Sequence, residues 1–129
     1  MERVTRHSPK RDAILECIRS TDCHPSAEWV YAMLKPQIPD LSLATVYRNL
    51  ARFRADGVVL AVGNVDGQER YDGDTAPHSH FICRGCGKVS DLPAVEVAVP
   101  NMAKVGKSEG CSVTFYGCCN ECLEKTARN

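Results

Sequence analysis

Cys83-Arg-Gly-Cys86 and Cys119-Asn-Glu-Cys122 constrain this chain more than any other feature. Two thiolates three residues apart reach one side of a metal ion, and a second pair completes a tetrahedron. Four thiolates select zinc in a closed, structural site. The span between the pairs is longer than in a compact zinc ribbon, so strands and a helix are expected inside it. Such a clamp ties the start of a folded unit to its end.

The chain is small enough to need one. At 129 residues, 43% hydrophobic and 25% charged, it is ordinary globular material for one domain or two small ones. Two units this size have thin cores, and metal or oligomerisation supplies what the core lacks. No apolar run approaches the roughly 20 residues of a membrane helix, and the start is charged and polar rather than signal-like. A cytoplasmic protein is expected, in which reduced, clustered cysteines bind metal rather than pair as disulfides. Net charge is zero but uneven: residues 1–62 carry nine Lys/Arg against seven Asp/Glu, and residues 63–129 the reverse balance. The first half is therefore the one suited to face a phosphate backbone.

Periodicity divides the chain in the same place. Ser8-Pro9 starts a helix whose apolar positions are Ala13, Ile14, Cys17 and Ile18, with Cys17 read as core. A second helix begins near Ser26 with Trp29, Val30, Met33 and Leu34 as its stripe and stops around Pro36. Ser42 caps a third, in which Leu43, Val46, Leu50 and Phe53 form one buried face, and Gly57 ends it. Val58–Val62 and Glu69–Tyr71 read as short strands around a turn at Asn64–Gly67. Three helices and a hairpin, in that order, are a winged helix-turn-helix. Asp72 to Pro77 has linker composition. Beyond it, His80–Cys83, Lys88–Leu92 and Cys111–Tyr116 read as strands and Ala94–Val105 as a helix. The expected fold is α+β: a winged-helix domain over residues 1–71, a hinge over 72–77, and a small α/β metal-binding domain over 78–129.

Two surfaces carry candidate chemistry. On the third helix, opposite its apolar face, stand Ala44, Thr45, Tyr47, Arg48 and Arg52. These are the small, polar and cationic types that reading base edges and gripping phosphates requires. Lys10, Arg11 and Arg70 are placed as phosphate contacts. The second surface is His78-Ser79-His80, just ahead of the first Cys pair, where strand alternation points both imidazoles at one ion. Asp72, Asp91 and His24 are candidate partners, and a mixed nitrogen and oxygen set suits Fe²⁺ or Mn²⁺.

His24-Pro-Ser-Ala-Glu28, Leu43-Ala-Thr-Val-Tyr-Arg-Asn-Leu50, Gly57-Val-Val, His78-Ser-His-Phe-Ile-Cys-Arg-Gly-Cys-Gly-Lys88 and Tyr116-Gly-Cys-Cys-Asn-Glu-Cys122 together resemble the ferric uptake regulator (Fur) superfamily over nearly the whole chain. The resemblance implies a homodimeric winged-helix repressor on an inverted-repeat operator in double-stranded DNA. It implies a C-terminal dimerisation domain with zinc on Cys83, Cys86, Cys119 and Cys122, and a separate regulatory metal. His24, Asp72, His78, His80 and Asp91 match the three-His, two-Asp regulatory set of the peroxide-responsive subfamily (PerR). There Fe²⁺ leads to oxidation of a His, here His24 or His78, while Mn²⁺ fills the site without that chemistry. Iron-sensing members more often place an acidic residue between the two histidines and a later His; this chain has Ser79 and Cys111. The resemblance implies no enzyme, no membrane and no small-molecule substrate.

Three other readings compete. An iron-responsive repressor would release DNA only on loss of iron. A thiol-based redox protein would need an accessible, low-pKa sulfur among Cys17, Cys23, Cys111 and Cys118, since thiolates held by zinc are not free. A zinc-ribbon adaptor would bind a protein partner and need neither regulatory metal nor operator.

Overall fold

The computed structural model describes residues 8–127. The chain forms two compact units, Met1–Thr75 and Ala76–Asn129. The first contains helices α1 (Pro9–Arg19), α2 (Ala27–Leu34) and α3 (Leu43–Ala55), then strands β1 (Leu60–Val65) and β2 (Gln68–Asp72). Each helix starts at a serine whose hydroxyl accepts a backbone N–H three residues on: Ser8 from Arg11, Ser26 from Trp29, Ser42 from Thr45. Such a cap satisfies a donor the helix itself leaves open and contributes about 1 kcal/mol.

The helices and hairpin close over one core. Ile14 and Ile18 come from α1, Ala27, Val30 and Leu34 from α2, and Val46, Leu50 and Phe53 from α3, with Leu41, Val59 and Tyr71 completing the cluster. Met33 does not join it and is 51% exposed. The buried stripe of α2 runs through residues 27, 30 and 34, and Met33 sits about 100° round from Leu34. Cys17 packs against the cluster half-buried rather than inside it. The hairpin is longer and its turn tighter than expected. Asp66 and Gly67 both have positive φ (52° and 81°), which two-residue hairpin turns require and an Asp-Gly pair supplies. Asn64 and Val65 therefore belong to β1, and a register shift between Ala61 and Gly63 bends the ribbon.

The second unit is built on three strands in the order β4-β3-β5: β3 (Ser79–Cys83), β4 (Val89–Leu92) and β5 (Thr114–Gly117). β4 runs antiparallel to β3 and β5 parallel to it. The helix expected over Ala94–Val105 is absent; the only helical geometry there is one 3₁₀ turn, Met102–Lys104. Pro93 and Pro100 bracket a segment whose valines fall at 95, 97 and 99, a strand-like alternation of β-branched residues that a helix does not favour. The last strand also starts later than Cys111, at Thr114. A terminal helix, α4 (Asn120–Ala127), was not anticipated; its first turn carries Glu121 and Cys122. Among the described residues no helix is long and apolar enough to cross a membrane.

Candidate metal centres

The end of β3, the turn after it and the start of α4 bring four sulfurs together. Cys83, Cys86, Cys119 and Cys122 offer Sγ atoms all within 4.8 Å of one another. Cys83 to Cys122 is 3.7 Å and Cys86 to Cys119 is 3.8 Å. A tetrahedron with metal–sulfur bonds of about 2.3 Å has edges of about 3.8 Å. These separations are far too long for disulfides and right for a shared ion.

The backbone prepares this cage. The N–H groups of Gly85, Cys86 and Cys119 point at Cys83 Sγ from 3.3, 3.4 and 3.3 Å. Led by the one from Cys119, they bring the Cys83 thiol down to about 6, against the effect of burial. Cys122 goes the other way, up to about 12, chiefly because its thiol hydrogen-bonds Cys83 and then Cys119. A metal ion bound here would take all four sulfurs as thiolates, so binding would release protons. A Cβ on Gly85 would sit 3.1 Å from Cys122 Sγ, so a side chain there would press on the cage. Cys118 is exposed and lies outside this set of four, to which Cys119 contributes its sulfur.

The histidines and aspartates form two sets, one in each unit. In the first, His24 is buried between α1 and α2 with φ 54°, and its Nε2 lies 3.2 Å from Asp72 Oδ2. Asp72 ends β2, and its other oxygen accepts the N–H of Asp74 at 2.8 Å. The turn-forming role that an Asp-Gly pair suggests is therefore real, and it leaves one oxygen for the imidazole. A Cβ on Gly73 would crowd the Arg19 backbone at 3.1 Å.

In the second unit, His80 on β3 pairs directly with Asp91 on β4. His78 lies two residues before His80, on the same face, with ring centroids 4.4 Å apart. Asp91 Oδ1 is 3.3 Å from Nε2 of both rings. His78 Nδ1 sits 2.6 Å from the Ala76 carbonyl, which can only accept, so Nδ1 carries the proton and Nε2 faces the carboxylate. Ser79 points to the other face, 1% exposed, and its hydroxyl donates to Pro93 O at 2.7 Å. It is a structural residue rather than a donor to the histidine face. Each set offers imidazole nitrogen beside carboxylate oxygen, a donor mixture that fits Fe²⁺ or Mn²⁺ better than a thiolate cage does.

On α3, Ala44, Tyr47, Arg48 and Arg52 are exposed, opposite Val46, Leu50 and Phe53, with Thr45 half-buried beside them. Arg48 Nη2 donates to Thr45 Oγ1 at 3.0 Å, and the Tyr47 hydroxyl donates to Glu28 at 2.7 Å. That bond to Glu28 pushes the Tyr47 hydroxyl above the usual phenol range. Arg52 lies 3.7 Å from Asp56, Lys10 3.1 Å from Asp40, and Arg11 3.7 Å from Asp12. Arg70 is not a free phosphate contact. Its guanidinium donates to the carbonyls of Cys23 and His24. Residue type alone gave no sign of this, because the partners are backbone atoms more than forty positions earlier.

The family model of the ferric uptake regulator family matches residues 2–115. The peroxide-responsive repressor PerR of Staphylococcus aureus is 35% identical over 125 residues, 93% of this chain and 84% of the relative. The Campylobacter jejuni peroxide stress regulator superposes with a TM-score of 0.69 at 27% identity, covering 88% of this chain and 89% of that one. The Helicobacter pylori ferric uptake regulator Fur, at 20% identity, shares the fold with a TM-score of 0.73 over 92% of this chain and 82% of its own. The chain belongs to the ferric uptake regulator family: it is a metal-dependent repressor of the Fur and PerR type, a dimeric DNA-binding regulator and not an enzyme.

Proposed function

We propose that this regulator senses hydrogen peroxide. Zinc on Cys83, Cys86, Cys119 and Cys122 is scaffold, and His24, Asp72, His78, His80 and Asp91 are the ligands of one regulatory Fe²⁺ or Mn²⁺. The observation that carries this reading is the second-unit triad, two imidazoles converging on one oxygen of Asp91. An Asp at this position, with Asp72 against His24, matches the peroxide-responsive pattern, and the 35% identity to a peroxide-responsive repressor supports it.

Ferrous iron, when bound, supplies the electrons that reduce peroxide. His24 and His78 are the side chains expected to take up one oxygen. An oxidised imidazole is a poorer ligand, so the set of five is broken and the DNA-binding arrangement is no longer favoured. The α3 face with Ala44, Thr45, Tyr47, Arg48 and Arg52 enters the major groove, and Lys10 and Arg11 contact phosphates. Two copies then match an inverted-repeat operator. The setting is the cytoplasm, where the cysteines remain reduced.

The test compares metals. Fe²⁺-loaded protein should release an operator fragment on mild peroxide, and Mn²⁺-loaded protein should stay bound. Mass spectrometry should then find one added oxygen on the peptide containing His24 or His78. Release that follows iron removal alone, with both peptides unmodified, would instead make this an iron-responsive repressor.

A further inference from the structure

Three consecutive residues of β2 hold three consecutive residues of the turn that carries His24. Arg70 donates through Nε to the His24 carbonyl and through Nη2 to the Cys23 carbonyl, the latter at 2.6 Å. Tyr71 N–H donates to Pro25 O at 2.9 Å. Asp72 Oδ2 faces His24 Nε2 at 3.2 Å. His24 has φ 54°, a left-handed conformation uncommon outside glycine, although histidine is one of the residues that reach it more often.

We propose that Arg70 is a positioning residue for His24. Its planar fork fixes two successive peptide carbonyls, and that fixes the peptide planes on either side of the His24 Cα. The imidazole is thereby aimed at Asp72 before any metal arrives. Arginine suits this because its donors lie in one rigid plane; a lysine ammonium reaches one carbonyl without setting the angle between two. The arrangement also makes the second strand of the wing part of the His24 mount. Metal occupancy at His24 and the set of the wing are then mechanically linked through one side chain.

This inference rests on the reading of His24 as a regulatory ligand, so its test separates the two. Mn²⁺ is titrated into zinc-loaded full-length protein carrying Arg70→Met, His24→Ala, or both, with Asp91→Asn alongside. Arg70→Met should weaken Mn²⁺ binding roughly 10-fold or more, the usual range for losing a group that orients a ligand, with zinc content unchanged. In the His24→Ala background it should add nothing, because Arg70 acts through that imidazole. Arg70→Lys should recover part of the loss, and it takes the place of Arg70→Met in the cycle if the methionine variant loses zinc or helix content. Equal losses in both backgrounds would overturn the positioning role in favour of a general structural one. Unchanged affinity in the Arg70 variant, with binding abolished by Asp91→Asn, would overturn it too. Full Mn²⁺ binding by Asp91→Asn would instead sink the regulatory site itself.

Discussion

The N-terminal unit gathers eleven apolar side chains into one buried cluster, while the buried hydrophobic residues of the C-terminal unit are Ile82, Cys83 and Val89. The contrast extends to the surface. Val95, Val97, Val99, Val105, Phe115, Tyr116 and Leu123 of the second unit are all more than 40% exposed. The first unit is held by the ordinary hydrophobic effect, with serine caps fixing its helix starts. The second has too little core for that. A metal ion in the four-cysteine cage would supply what burial does not. The difference teaches where each kind of damage should be felt.

The largest effect should come from breaking the cage. Cys83→Ser removes the sulfur on which three N–H groups converge, and structural zinc carries on the order of 10–16 kcal/mol of apparent folding free energy. Zinc content should fall to near zero and the dimer should dissociate on size exclusion, while helical circular dichroism from α1 to α3 persists. A zinc-free dimer would break the comparison. Next comes Leu50→Ala, which empties a fully buried position in the other unit. It should cost about 2–5 kcal/mol in denaturant unfolding and leave zinc in place. Asp72→Ala acts on neither core nor cage. It should weaken Mn²⁺ binding by about 10-fold or more, close to 1.4 kcal/mol, at unchanged zinc stoichiometry. Parallel loss of both metals would show that the two sites are one. The smallest change expected is Ser26→Ala, about 1 kcal/mol from an uncapped α2, read as a lower melting temperature of the first unit.

Much of this was legible in the residues. Ser8, Ser26 and Ser42 mark the three helix starts because capping is local chemistry. Cys-x-x-Cys spacing pairs Cys83 with Cys86 and Cys119 with Cys122, and strand alternation puts His78 and His80 on one face; Asp91 enters as a ligand only through the resemblance, because it lies on the partner strand across the sheet. What failed was the region where local pattern is weak. The expected helix over Ala94–Val105 begins with valines at 95, 97 and 99 between Pro93 and Pro100, a period that fits an extended strand instead. Met33 was placed inside because four apolar residues on a short helix define two overlapping stripes, and only packing chooses between them. Arg70 is illegible for a different reason. Its partners are peptide carbonyls, and any sequence presents carbonyls everywhere, so no pattern of side chains points to that bond.

The strand β3 joins the two kinds of chemistry along a single backbone. His80 faces Asp91 and, three residues on, Cys83 enters the cage. Because successive side chains alternate, the number of residues between them matters more than their identity. Removing one would turn the imidazole to the opposite side while the thiolate stayed put; removing two would restore the side but shorten the reach by about 6.6 Å. Phe81 and Ile82 thus act as a ruler as well as packing groups. Substitutions there should be tolerated where size permits, but this short interval should accept no change in length.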